Sequence, residues 1–464
     1  MTPSSSAGDL DLGDLEKALI TISSGPTLPL NETVQSLRLL ADASRHDEEI
    51  RKRLGETKSL QGLTAIVGYG NDNPHEVVDA ALRCIGNACI DNDTARENVT
   101  AIGFEWAERR LKCGFYGELA TADLTIKALY NICLDYEPAQ QQCFRDDIHA
   151  GLVFLCEAHP DSELEAYPLL FQLLFWICSH REALKDAAPL DGHGTHESAI
   201  VTTLLRLPAM YKELLEPDEW AMLYETCLVY LRDTEVQQGV VQRNEASEVW
   251  KLLVCNEEFV DPYPQARDVE DVKLLIPIST SLIWILSDVA ALPEFAKHNT
   301  VRSSWIESNV VQWIEVGPGS SNNRLYTAAC QVLGNVLWAT KAPEDFSYLV
   351  DERGLHDALL RNMNRLDAEL LHASAGVVLQ LARPSVELRE RIASSKWAEV
   401  MLEHLCRHEN PQIQQDGMRL LRALGQTNAA IQTRFAELAR EVVANASAGA
   451  EAADADTSMA ETPG

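Results

Sequence analysis

Leu82-Arg83-Cys84-Ile85-Gly86-Asn87-Ala88-Cys89-Ile90-Asp91-Asn92-Asp93 decides the fold, because the chain writes it more than once. Ile126-Lys127-Ala128-Leu129-Tyr130-Asn131-Ile132-Cys133-Leu134-Asp135 repeats it, with Asn131 for Asn87 and Asp135 for Asp91. Ala329-Cys330-Gln331-Val332-Leu333-Gly334-Asn335-Val336-Leu337-Trp338 is a third copy. Weaker echoes put Asp42, Trp176, Ser287, Gln380 and Gln426 in the slot of Asn87. Neighbouring slots lie between 44 (Asn87 to Asn131) and 48 residues (Ser287 to Asn335) apart. The one wider step, from Trp176 to Ser287, leaves room for a degenerate repeat plus an insertion. A fixed period of roughly 40–47 residues is the signature of armadillo or HEAT helical pairs and triples. The spacing therefore predicts an all-α, armadillo/HEAT-like right-handed superhelical solenoid of about eight to nine repeats.

Outward from that stretch the text reads as helix, turn, helix. Val34–Ala43 and Glu48–Leu54 are short helical segments, and Glu76–Cys89 carries apolar Val77, Val78, Ala81, Leu82, Ile85 and Cys89 at helical spacing. Asn73-Pro74, Glu137-Pro138, His159-Pro160, Leu207-Pro208, Glu216-Pro217 and Ala342-Pro343 punctuate the units, since a residue before proline avoids the helical region. No alternating strand pattern of useful length occurs. Residues 1–11 read as a flexible lead-in, 12–443 as the solenoid, and 185–198 and 256–271 as loop insertions. Residues 444–464 bear no Lys or Arg and too little apolar surface to offset ordering entropy, which predicts a disordered acidic tail.

Composition narrows the function classes. Of 464 residues, 70 are acidic and 39 basic, a formal charge of −31. Residues 441–464 hold five of the acids, so the acidity belongs to the folded part. That balance excludes default binding to a nucleic-acid backbone and favours a basic partner. The eleven cysteines include no Cys-x-x-Cys pair, and Cys84, Cys89, Cys133, Cys178 and Cys330 fall inside apolar helices. This is the usage of a reducing compartment. No basic-then-apolar leader opens the chain and no apolar run approaches the length of a membrane span, so a cytoplasmic location without membrane insertion is expected.

Motifs for catalysis fail on inspection. Gly192-His193-Gly194-Thr195-His196 resembles the histidine motif of subtilisin-like proteases, and Asp456-Thr457-Ser458-Met459-Ala460 the serine motif. The serine lies in the tail and the histidine motif runs into Glu197-Ser198 instead of opening a buried helix, so no triad is expected. His193 and His196 beside Asp191 and Glu197 lack a fourth ligand and read as a polar loop, with no metal and no cofactor. No phosphate-cradling glycine loop is present.

The recurring asparagine remains. Asn87, Asn131 and Asn335 sit inside apolar helices, where an amide is costly unless satisfied or exposed. Two readings stand: the amides bond neighbouring backbone in a structural ladder, or they line a groove and offer hydrogen bonds to a partner. In the second, Asp91 and Asp135 lie one helical turn further on the same face, and with Asp93 and Glu137 form an acidic strip. Trp338, three residues after Asn335, is either core or an interface anchor, and Gln380 occupies the next slot.

The stretch Leu82–Asn98, with its Leu-Gly-Asn-like core, Asp/Asn-rich corner and Arg96, resembles the armadillo units of the GDP dissociation stimulators for small GTPases, the SmgGDS family. Leu129–Gln140 and Leu333–Trp338 support the resemblance less specifically. It implies a guanine nucleotide exchange factor and chaperone, without catalytic residues, for Rho- and Rap-like small GTPases with polybasic tails. By position it places Asp91, Asp93, Asp135 and Glu137 against the basic tail, and Asn335, Trp338 and Gln380 against the GTPase; a monomer is expected. The alternative is an armadillo scaffold that binds peptide or protein partners, like importin or ataxin-10, without acting on a GTPase.

Overall fold

The computed structural model describes residues 30–427 apart from 69–73, 115–117, 161–164, 188–193, 261–268, 320–322 and 364–366, with a few positions between 432 and 440. The 1–11 lead-in, the expected start of the solenoid as far as residue 29, and the 444–464 tail lie outside the described residues. Among the described residues every regular element is helical, so the chain is all-α. It divides into two compact units, 1–236 and 237–464.

In the first unit the long helices are α1 (Leu30–Ser44), α2 (His75–Ala88), α3 (Leu119–Cys133), α4 (Tyr167–Cys178) and α5 (Pro217–Leu231). Each packs against the next, and two or three shorter helices lie between successive long ones in the chain. The second unit repeats the scheme with α6 (Val269–Ala291), α7 (Asn323–Ala339), α8 (Ala368–Ala382) and α9 (Pro411–Gly425). In the sequence, α5 falls within the wide gap between the slots of Trp176 and Ser287.

Local chemistry explains the elements. α2 buries Val77, Val78, Ala81, Leu82, Ile85 and Ala88 along one stripe, the pattern of a helix that owes its stability to packing. Proline starts helices here: Pro138, Pro208, Pro217 and Pro343 occupy the first turn, where a missing N–H costs nothing. Glu216 and Glu219 form a reciprocal capping box at the start of α5. Gly86 is where α2 and α3 come together; a Cβ there would sit 3.2 Å from Ala128 Cα. All eleven cysteines are free; Cys84, Cys89, Cys133, Cys178 and Cys330 are buried, and burial pushes Cys84, Cys89, Cys178 and Cys330 up to about 12, leaving inert thiols.

Several boundaries differ from the sequence reading. The 185–198 segment is largely helical where it is described: Arg181–Ala187 and Gly194–Leu204 flank 188–193. The histidine motif thus does open a helix, because Gly194-Thr195 is followed by the apolar Ala199, Ile200 and Val201, of which Ile200 and Val201 are buried. The 256–271 loop is also narrower, since Asn256–Val260 ends the helix Ala246–Val260 and Val269 begins α6. Within α6, Lys273–Ala291 is long and apolar enough to cross a membrane by length and composition, against the expectation that no such run occurs. Half of it is buried in the unit, through Leu275, Ile278, Leu282, Leu286 and Val289, which is how a core helix passes the same test.

Candidate functional site

The asparagine slot is built from one helix to the one before it. Asn87 Nδ2 donates to Ala41 O at 2.8 Å and Ser44 Oγ at 3.1 Å, both on α1. Asn131 Nδ2 donates to Gly86 O on α2 at 3.3 Å, and Asn335 Nδ2 to Ser287 O on α6 at 2.9 Å. Each of the three amides thus donates to the backbone of the long helix before it, the bond that a structural ladder expects. An α-helix already satisfies its interior carbonyls, so these bonds chiefly fix the register of one long helix on the next.

The acidic residues lie elsewhere than a shared helical face. α2 ends at Ala88 and α3 at Cys133, so Asp91 and Asp135 fall beyond the helices rather than one turn further along them. Both adopt left-handed backbone, with φ of 50° and 53°. Asp and Asn tolerate that conformation better than other side chains, which gives the recurring Asp a local cause. Asn92 then caps the helix Asp93–Ile102, accepting from Ala95 N, and Asp93 and Glu137 each occupy the first turn of the next helix, where the dipole favours an acid.

These corners nevertheless present negative charge outward. Asp91 and Asp135 are exposed, and the side chains of Asp93 and Glu137 are 79% and 67% exposed. Burial, and then the carboxylates of Glu97 and Asp93, push the Tyr136 hydroxyl up, so the acids of one corner reach the next. Arg96, which touches this row, is buried, with Nη1 2.9 Å from Asp93 and Nε on Asn131 O. Glu97, Tyr136 and His180, whose Nδ1 lies 3.8 Å from Glu137, belong to the strip and were not singled out in the sequence. The helical offset between Asp93 and Glu97 was the available signal.

In the second unit the slot helices carry aromatic surface. Trp338 is 67% exposed, which resolves the choice between core and surface. Arg383 stacks on it at 5.0 Å and donates to Leu337 O and Trp338 O, so it caps the carboxyl end of α7 as well. Gln380 is half-buried, and its Oε1, like that of Gln331 on α7, has no hydrogen-bond partner. Trp284 on α6, 59% exposed, was missed by sequence reasoning although it lies on the same helix as the Ser287 slot.

Two buried ionic clusters are internal struts. Arg181, 4% exposed, pairs with Glu197 and with Asp233 at 2.8 Å, and Lys185 reaches Asp233 at 2.7 Å. Burial alone raises Asp233, but the hydrogen bonds from Lys185 and Arg181 hold it at about 2. In the second unit the buried Glu257 accepts from Ser279 and faces Arg324 at 3.4 Å. Glu197, which follows the two histidines in the chain, is thus half of a strut; Asp191 and His193 lie outside the described residues, as does the side chain of His196. Among the described residues no group of three or more His, Cys, Asp or Glu is placed to hold a metal.

No family model and no curated protein matches the chain. Among solved structures, an engineered protein aligns over 93% of this chain and 94% of its own, at 17% identity and a TM-score of 0.47. A likeness of that degree bears on neither partner nor activity.

Proposed function

We propose that this chain is a non-catalytic helical-repeat protein that grips a positively charged protein client. The finer reading is an armadillo-like, right-handed superhelix of about eight to nine repeats acting in the cytosol on a Rho- or Rap-like small GTPase with a polybasic tail. The observation that carries it is the exposed carboxylate row Asp91, Asp93, Asp135 and Glu137, on a chain of formal charge −31, with the adjoining Arg96 buried beneath it. Such a surface raises the local concentration of a basic segment and steers it over about a Debye length, ~8 Å at physiological salt.

Exchange needs no catalytic side chain. A protein that binds the nucleotide-free GTPase more tightly than its GDP form expels nucleotide through that difference alone. Trp338, exposed in the second unit, supplies contact chemistry for the globular part of such a client, whereas the Gln380 Oε1 is enclosed by its own unit. The internal use of the Asn335 amide favours the second reading, a scaffold that holds a client without loosening nucleotide, because it takes Asn335 Nδ2 out of the client contacts.

Labelled GDP release from Rho- and Rap-type GTPases separates the two. The exchange reading expects release to quicken at least tenfold with the full chain. Binding with unchanged release would leave the scaffold, and no binding at low salt would remove the GTPase client and leave only a scaffold for other peptide or protein partners.

A further inference from the structure

The unit that carries α6, α7 and α8 contains a hollow of about 320 Å³ lined in part by the exposed Trp284. Asp367 and Glu369, exposed at the start of α8, line it too, as do the exposed Thr280 and the buried Thr327. Arg324, the single cation among the described residues lining it, lies 3.4 Å from the carboxylate of Glu257, itself 4% exposed, so its charge is already answered within the unit. With that pair cancelled, the hollow is left with two carboxylates and an aromatic face.

We propose that this hollow receives one arginine or lysine side chain of a basic peptide segment, its cation over the Trp284 ring and its donors directed at Glu369 and Asp367. The proposal rests on the reading of the client as basic, and adds a contact in the second unit to the acidic row in the first. A cation on an indole face, desolvated between carboxylates, gains both ring-quadrupole and Coulomb attraction, and the aliphatic stem covers the indole. The same unit already shows the pairing internally, with Arg383 on Trp338 at 5.0 Å. Asp367 also caps α8 through Leu370 N, so its carboxylate is held in place before any client arrives.

The test uses the full chain labelled with 5-fluorotryptophan, the Trp284 fluorine resonance being assigned by its loss in Trp284→Phe. A short arginine–glycine repeat peptide is titrated, and the isosteric citrulline peptide serves as the uncharged control. The arginine peptide is expected to shift the Trp284 resonance and the citrulline peptide to leave it in place. Trp284→Ala is expected to weaken arginine-peptide binding about three- to tenfold. Glu369→Gln with Asp367→Asn, which keeps the cap, is expected to weaken it by a similar factor and to flatten its salt dependence. Peptide binding with the Trp284 resonance unmoved and affinity unchanged in both variants overturns this site while the basic-client reading survives. Absence of peptide binding at low salt overturns both.

Discussion

Ile85-Gly86-Asn87 on α2 and Leu333-Gly334-Asn335 on α7 are nearly the same words in two different units, and they do partly different work. Asn87 and Asn335 act alike: each ties its helix to the backbone of the long helix before it, at 2.8 and 2.9 Å. The glycines diverge. A Cβ on Gly86 would press on Ala128 of α3, whereas one on Gly334 would meet nothing within 4 Å. The surfaces beyond the slot diverge further, into exposed carboxylates after α2 and α3 and an exposed tryptophan on α7. The repeat thus conveys a packing rule, and each unit spends its outward positions on separate chemistry.

The largest difference expected between the units concerns acid. Asp233 sits at about 2 instead of 3.8, so its pairing stabilises the first unit fully above pH ~4 and is lost as pH falls from ~4 to ~2. Asp233→Asn is expected to destabilise by about 2 kcal/mol at pH 7, and by far less at pH 2.5. Urea unfolding at the two pH values measures this; an equal loss at both would show that the carboxylate charge is not what matters.

Gly86→Ala comes next, with an expected loss of about 1–2 kcal/mol as α2 is pushed from α3. Its counterpart Gly334→Ala should go the other way and stabilise by about 0.5–1 kcal/mol, because a helical glycine in open space gives up only its backbone entropy. Thermal melts of the pair decide it, and shifts of the same sign would remove the contrast. Asn87→Ala and Asn335→Ala should each cost about 1 kcal/mol, equal within error, if both serve the ladder.

Much of this was legible in the sequence, for a physical reason. Helices such as α2 and α3 announce themselves through apolar spacing, and their recurrence near 45 residues follows because each repeat must bury its stripe on the next. The helix ends were harder. Asp91 and Asp135 looked like members of a helical face because nothing in a lone sequence marks the left-handed turn after Ala88 and Cys133, though a recurring Asp just past an apolar stripe is what such a turn selects. The asparagines admitted two uses that only distances separate. Trp284 escaped notice because an aromatic in an apolar helix reads as core, and its exposure depends on which neighbours the fold leaves absent from that side.

Affinity for a basic segment as a function of salt tests the central claim most directly. A peptide carrying the lysine-rich run of a polybasic GTPase tail is titrated by calorimetry into the full chain and into Asp91→Lys/Asp135→Lys, at low and at near-physiological salt. The account predicts low-salt binding that falls with added salt, weakened about tenfold and made less salt-dependent by the double reversal. Affinity unchanged by the reversal at low salt would contradict it.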